Sequence, residues 1–426
     1  MARLLVIMGS GETSPTMSKV HRGLLARLGP APVPAVLLDT PYGFQENASD
    51  ISDRAVDYFA ESVRHPIEVA GYRTAEPGDV LARETALARI RAATYVFSGP
   101  GSPSYALAQW IGGEVPPLLA DKLRTGGCVT FASAAACTLG AFALPVYEIY
   151  KVGRAPHWLD GLDLLAVTGM RAVVIPHFNN AEGGNHDTRY CYMGERRLSA
   201  LEATLPDDVF VLGVDEHTAL VMDLDAGTAE VAGLGGVTVR GRGGSAVVSA
   251  GETIPIDRVA AMATAGWAGP SGTAAAAEAG SGTDAATEEG AALDAAGLGP
   301  LLEGVAACEK GFADALATGD ASAAVRELLE LDDLLVEWSR DTTQSDHLDR
   351  GRAALRAMLV RLGEAADAGL RDPRQVVGPF VDALLDARRS ARAERRFAES
   401  DAIRDRLAAA GIEVRDTPDG TQWELC

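Results

Sequence analysis

The sequence predicts an α/β domain with a parallel sheet over residues 1–265, then a mostly α-helical domain over 300–426 that ends in a small hairpin. Three observations carry this. Up to about residue 265, short β-branched runs alternate with stretches of helical periodicity, the pattern of a parallel sheet covered by helices. From Ala268 to Gly299 the chain is rich in Ala, Gly, Glu and Ser and has no aromatic residue, so 266–299 is expected to be a flexible tether that buries too little to offset its ordering entropy. Beyond it, apolar residues recur at three- and four-residue spacing, as in Leu328, Leu331, Leu335 and Trp338, which is the stripe of an amphipathic helix.

The elements follow in order. Strands are expected at 4–8, 35–39, 67–71, 94–98, 128–132, 172–176 and 209–214; several are apolar throughout, as strands covered on both faces must be. The first apolar run, Met1-Ala-Arg-Leu-Leu-Val-Ile-Met8, passes straight into Gly9-Ser-Gly-Glu12 with no small-residue cleavage pattern, so it is read as a buried strand rather than a signal peptide. Segments 82–92 and 104–111 have helical periodicity. After Val221 the pattern turns to short strands, through Val231, 237–239 and 246–248, expected as an antiparallel edge. In the second domain, 312–316, 323–338 and 351–362 are expected helices. A further helical pair spans 380–393 and 397–410, the latter stopped by Gly411. Ile412 and Val414, a turn at Pro418-Asp419-Gly420, and Trp423 and Leu425 then form the hairpin.

Charge and cysteine content exclude several classes. The 426 residues carry 38 Lys+Arg against 59 Asp+Glu, a formal net charge of −21. Broad, sequence-blind nucleic-acid binding needs a basic footprint that this balance lacks. Cys128, Cys137, Cys191, Cys308 and Cys426 contain no C-x-x-C pair, so they are expected as reduced thiols in a cytoplasmic protein. No apolar run reaches the roughly 18 residues of a membrane span, so no membrane partner is expected. The Ala/Gly/Arg-rich usage is bacterial in style.

Chemistry concentrates in three segments. In Cys128-Val-Thr-Phe-Ala-Ser-Ala-Ala-Ala-Cys137, an apolar strand ends at Ser133 and a helix begins, which is where a serine nucleophile would be exposed. The usual elbow is Gly-x-Ser-x-Gly; here Phe131 and Ala135 hold the glycine positions, and a buried strand-end serine fits the local pattern equally well. Ile175-Pro-His-Phe178 puts His177 after a strand, as a base or as a structural histidine. The loop Gly99-Pro-Gly-Ser102 could present N–H groups to an oxyanion. No metal-ligand spacing and no cofactor motif is present, so neither a metal nor a cofactor is expected.

Taken in order, Met8-Gly-Ser-Gly-Glu12, Gly99-Pro-Gly-Ser-Pro-Ser-Tyr-Ala-Leu107, Thr130-Phe-Ala-Ser-Ala-Ala-Ala136, Ile175-Pro-His-Phe178 and Gly213-Val-Asp-Glu-His-Thr-Ala-Leu220 resemble the peptidase E and cyanophycinase family of serine hydrolases. That family has the class I glutamine amidotransferase-like fold. The resemblance implies Ser133 as nucleophile and His177 as general base, with an oxyanion hole from the N–H of Ala134 and a glycine of the 99–101 loop, Gly99 or Gly101. It implies an acid fifteen to eighteen residues past the serine, which is Glu148. Glu216 competes for that role or is structural. Arg189, Arg196 and Arg197 are candidates for a substrate carboxylate or for a salt-bridged helix face. The family prefers acidic amino-terminal or isoaspartyl peptides, and serine at the elbow disfavours glutaminase chemistry.

Residues 383–425 resemble the carboxyl end of cysteinyl-tRNA synthetase, and 312–368 the helical bundle before it. The resemblance implies an anticodon-binding role. The sequence contains no His-x-Gly-His, no Lys-Met-Ser-Lys-Ser and no zinc-site spacing of that enzyme, so the chain is not expected to charge tRNA. Arg388, Arg389, Arg392, Arg395 and Arg396 form a local basic patch suited to phosphate, but Glu394, Glu399, Asp401 and Asp405 interleave it as in a salt-bridged exposed helix.

Two readings stand at this point. One is a cytoplasmic serine hydrolase of a small peptide or amide, with the second domain binding tRNA or a partner. The other is an inactive scaffold in which Phe131 closes the elbow and the α/β domain serves as a homodimer platform. The turn at Ser133 discriminates them, strained and open in the first and relaxed and covered in the second.

Overall fold

The computed structural model describes residues 1–76, 78–182, 186–242, 244–264, 299–341, 346–369, 373–417 and 420–425. The tether expected at 266–299 lies almost wholly outside the described residues, as do Pro418 and Asp419 of the hairpin turn and Cys426. The chain divides into two compact units, one of residues 1–303 and 333–349, the other of 304–332 and 350–426.

The first unit is built on two sheets. In the eight-stranded sheet, Arg3–Met8 lies between Gly127–Ala132, its parallel neighbour, and Thr218–Asp223, its antiparallel one. Tyr95–Ser98, Ala35–Leu37 and Glu68–Val69 extend the parallel side, and Thr228–Gly233 and Thr253–Pro255 the antiparallel side. Alternation explains the uninterrupted apolar runs. Leu5, Ile7, Val129 and Phe131 enter one core, and Leu4, Val6, Met8, Cys128 and Ala132 the other, because successive side chains point to opposite faces and both faces are covered.

The second, six-stranded sheet pairs Ala172–Ile175 with Phe210–Val214 in parallel, continuing through Gly236–Gly241 and Gly244–Ser249 antiparallel. The parallel sheet with an antiparallel edge expected from the sequence is divided between two mixed sheets. Periodicity identifies strands but not their partners, and here 172–175 and 210–214 find each other rather than 3–8. Val174, Leu212 and Val214 still enter the core shared with Leu5 and Phe131, while Val173, Ile175 and Val211 line a third cluster.

Local signals fix the helix starts. Asp79 caps Val80–Ala92 by accepting the N–H groups of Leu81 and Ala82, and Ser102 caps Pro103–Trp110 by accepting that of Tyr105. Pro103 occupies the first turn, where its missing N–H costs nothing.

The chain's later part is helical at Pro300–Thr318, Ala321–Trp338, His347–Gly369, Pro373–Ala393 and Phe397–Ala409. Gly411, at φ 77°, ends the last helix, and Ile412–Thr417 pairs with Gly420–Leu425 as the expected hairpin. Within the second unit, Val381, Leu385, Leu407, Ile412 and Val414 form a small core that joins the helical pair to the hairpin. No helix among the described residues is long and apolar enough to cross a membrane.

Candidate active site

The site is assembled at strand ends. Gly127–Ala132 terminates at Ser133, whose φ is +48°, and the short helix Ser133–Cys137 follows at once. A left-handed conformation costs a non-glycine residue of order 1–2 kcal/mol and persists only where its surroundings impose it. Here the N–H of Ala135 donates to the carbonyl of Gly99 at 3.2 Å. Phe131 does not close the turn, because its ring lies in the core against Trp110, with centroids 5.6 Å apart. The turn is strained and partly exposed, the opposite of the covered geometry of the scaffold reading.

His177 follows Ala172–Ile175 and is also left-handed, at φ 48°. The Phe178 ring presses on Gly213, where a Cβ would come within 2.3 Å of it, so Gly213 lets the histidine segment lie against the next strand. Ser133 Oγ lies 2.9 Å from His177 Nε2, and His177 Nδ1 lies 2.9 Å from Glu216 Oε1. With Nδ1–H donating to Glu216, the neutral ring leaves Nε2 free to accept the serine proton. Glu216 is itself held in place. Its N–H donates to Asn179 Oδ1 at 2.8 Å and its carboxylate accepts from Asn180 Nδ2 at 3.3 Å. The neighbouring Asp215 is spent on backbone, accepting the N–H of Gly236.

The electrostatics match this linkage. Burial opposes a charged imidazole, but its hydrogen bond to Glu216 and the nearby Cys191 and Glu12 outweigh it and hold His177 at about 9. Burial alone would raise Glu216; its contacts with His177, together with His217 and Asn180, keep it below the ordinary carboxylate value.

Glu148, expected as the acid, does not reach the histidine. Its Oε1 accepts from Ser104 Oγ at 2.5 Å, and Oε2 is buried without a hydrogen-bond partner. Sequence spacing cannot tell which strand end a loop carboxylate will face, and the helix Val146–Tyr150 turns Glu148 towards Ser102, Ser104 and Tyr105.

The 99–101 loop borders the same cavity as Ser133. Gly101, at φ 134°, approaches Pro41 so closely that a Cβ would meet its carbonyl at 2.2 Å. The N–H of Ala134 lies in the first turn of its helix, where no intrahelical acceptor is available. The cavity, of about 110 Å³, is lined by Ser133, Ala134, Gly101 and His177 and also by Glu12, Glu182, Cys137, Cys191 and Tyr192. Glu12 and Glu182 had no role in the sequence reading. Glu12 stands in the glycine-rich turn Gly9-Ser-Gly-Glu12, and that position was the available signal.

The candidate substrate arginines do not line this cavity. Arg189 is committed to Asp187 through two contacts of 2.9 Å, and Arg196 is exposed on the helix Gly194–Glu202, with Arg197 half-buried on it. Among the described residues, no group of His, Cys, Asp and Glu side chains could hold a metal ion.

Towards the other end of the chain, sequence comparison matches one segment to a known family model. Residues 377–423 match the cysteinyl-tRNA ligase anticodon binding domain. The segment is similar to the cysteine–tRNA ligase of Nitratidesulfovibrio vulgaris strain DP4, 64% identical over 45 residues, which are 11% of this chain and 9% of that protein. It is also similar to the cysteine–tRNA ligase of Nocardioides sp., 38% identical over 122 residues, 26% of this chain and 25% of that protein. The chain thus spans a quarter or less of the length of these relatives. Among solved structures, one of a peptidase from an acI-B1 Actinobacterium aligns with 60% of this chain and 97% of its own, with a TM-score of 0.49 and 20% identity.

Within the matched segment, four of the five candidate arginines are engaged by carboxylates. Arg388 is 3% exposed and meets both oxygens of Asp416, at 2.8 and 2.7 Å, and Arg392 reaches the same residue at 2.8 Å. Arg389 pairs with Asp386, and Arg396 with Glu394 and Glu399. Arg395, at φ 63°, falls between the two helices. The basic patch is therefore largely an intrahelical and hairpin-facing ion-pair array, because a one-dimensional count of arginines is blind to the carboxylates that fold onto them.

Proposed function

We propose that the first unit is a serine-type hydrolase of amide or peptide bonds acting through an acyl-enzyme. The observation that carries this reading is the continuous relay of Ser133, His177 and Glu216, with the serine held in a strained turn at the mouth of a cavity. Ser133 Oγ attacks the substrate carbonyl carbon as its proton passes to His177 Nε2. Glu216, not Glu148, orients the imidazole and stabilises the imidazolium. The N–H of Ala134 and the 99–101 loop receive the developing oxyanion. The C–N bond then breaks, the amine leaves with the proton from His177, and water attacks the Ser133 ester by the same route.

The segment 377–423 supports a tRNA- or partner-binding role for the carboxyl-terminal part. The sequence contains neither of the nucleotide-activating signatures of a synthetase, so in this reading the chain binds without charging. The experiment is fluorophosphonate labelling of the full chain followed by peptide mass spectrometry, with Ser133→Ala as control. An adduct on Ser133 is expected; a folded wild-type protein that takes no label there refutes the hydrolase.

A further inference from the structure

The cavity beside Ser133 is lined by two acidic side chains, Glu12 and Glu182, with no Arg or Lys among its described lining residues. The one nearby cationic candidate, His177, is already engaged by Glu216. Glu182 accepts from Tyr192 Oη at 2.6 Å, which leaves its second oxygen to a ligand.

Glu12 is the more telling of the two. Its side chain is 2% exposed, and a Cβ on Gly99 would stand 2.7 Å from its Oε1, so it lies directly behind the 99–101 loop. Its carboxylate takes a hydrogen bond from its own backbone N–H, and among the described residues no side chain donates to it. Burial, reinforced by Asp341 and opposed by that N–H and by His177, raises it to about 7. A buried carboxylate at a cavity wall, held only by its own backbone N–H, is costly unless a ligand supplies a further donor.

We propose that this cavity selects substrates carrying a protonated amine, which Glu12 and Glu182 receive, and rejects substrates with an acidic side chain; this rests on the hydrolase reading above. An ammonium group supplies up to three donors and one positive charge. An aspartyl side chain would bring a further negative charge to a wall whose one cation, His177, is already paired with Glu216.

The test separates binding from turnover. Full-length Ser133→Ala is titrated by calorimetry with four amides: acetyl-Ala-Ala, Ala-Ala with a free amino terminus, acetyl-Lys-Ala and acetyl-Asp-Ala. At least one of the two ammonium ligands is expected to bind tenfold or more tighter than acetyl-Ala-Ala, with the aspartyl ligand weakest. Adding Glu12→Gln, or separately Glu182→Gln, should cut that preference at least fivefold. An aspartyl ligand that binds as well as the ammonium ligands overturns the proposal. So does equal affinity across the four, including no measurable binding at millimolar concentration. Ser133 labelling in the wild type judges the hydrolase reading independently. Labelling without an ammonium preference sinks only the specificity, and an ammonium preference without labelling sinks only the hydrolysis.

Discussion

Replacing Glu216 with Gln tests the relay through its effect on His177. In the proposed mechanism His177 is useful as a base only when neutral, and its contacts with Glu216 help keep it charged up to about pH 9. Measured from an ordinary histidine near 6.5, that is a stabilisation of the imidazolium of roughly 3 kcal/mol, at 1.36 kcal/mol for each pKa unit. In the wild type the rate of Ser133 phosphonylation should therefore rise with pH, about tenfold per unit, and level off above about 9. Glu216→Gln keeps the shape but removes the charge, so the rising limb should move down to about 6.5 or lower, because burial alone disfavours the charged ring. The plateau rate should also fall, by roughly 10²–10⁴-fold, because the imidazolium formed in the transition state loses its counter-charge. The two changes oppose each other at neutral pH. The wild-type to variant ratio should therefore grow by roughly a hundredfold between pH 7 and pH 10, two pH units of titration. The assay is the second-order labelling rate across that range, which needs no knowledge of the substrate. An unmoved limb in Glu216→Gln, or the same displacement in Glu148→Gln, would refute the assignment of the acid.

Three further outcomes follow from the same geometry. Ser133→Gly should be more stable than Ser133→Ala by about 1 kcal/mol in chemical denaturation, since glycine adopts positive φ without steric cost; equal stability would mean that the turn is not strained. Gly101→Ala should abolish or sharply slow Ser133 labelling, because its Cβ would meet the Pro41 carbonyl at 2.2 Å and displace the loop. Unchanged labelling would remove that loop from the site. Arg388→Met should destabilise the carboxyl-terminal part by about 2 kcal/mol in thermal unfolding, the scale of charge-assisted hydrogen bonds, while Arg395→Ala changes stability by less than about 0.5 kcal/mol. Equal effects would contradict the structural role of the Arg388–Asp416 pair.

The sequence determined much of this by itself. Apolar runs without polar alternation announced strands covered on both faces, and the three- and four-residue stripes announced the later helices; both are local consequences of side-chain periodicity and survive any tertiary arrangement. Ser133 and His177 were legible as candidates because both sit at strand-to-loop junctions, and such junctions are marked locally. What lay beyond local pattern was pairing across space. Glu148 and Glu216 are both loop carboxylates, and only the docking of Phe178 on Gly213, with Asn179 and Asn180 around the carboxylate, brings Glu216 rather than Glu148 onto the imidazole. In the same way, the arginines at 388–396 look like a phosphate-binding patch until the hairpin returns Asp416 to Arg388 and Arg392. Electrostatic and hydrogen-bond energies fall steeply with distance, so the partners that decide a charged residue's chemistry are those the tertiary fold delivers from far along the chain.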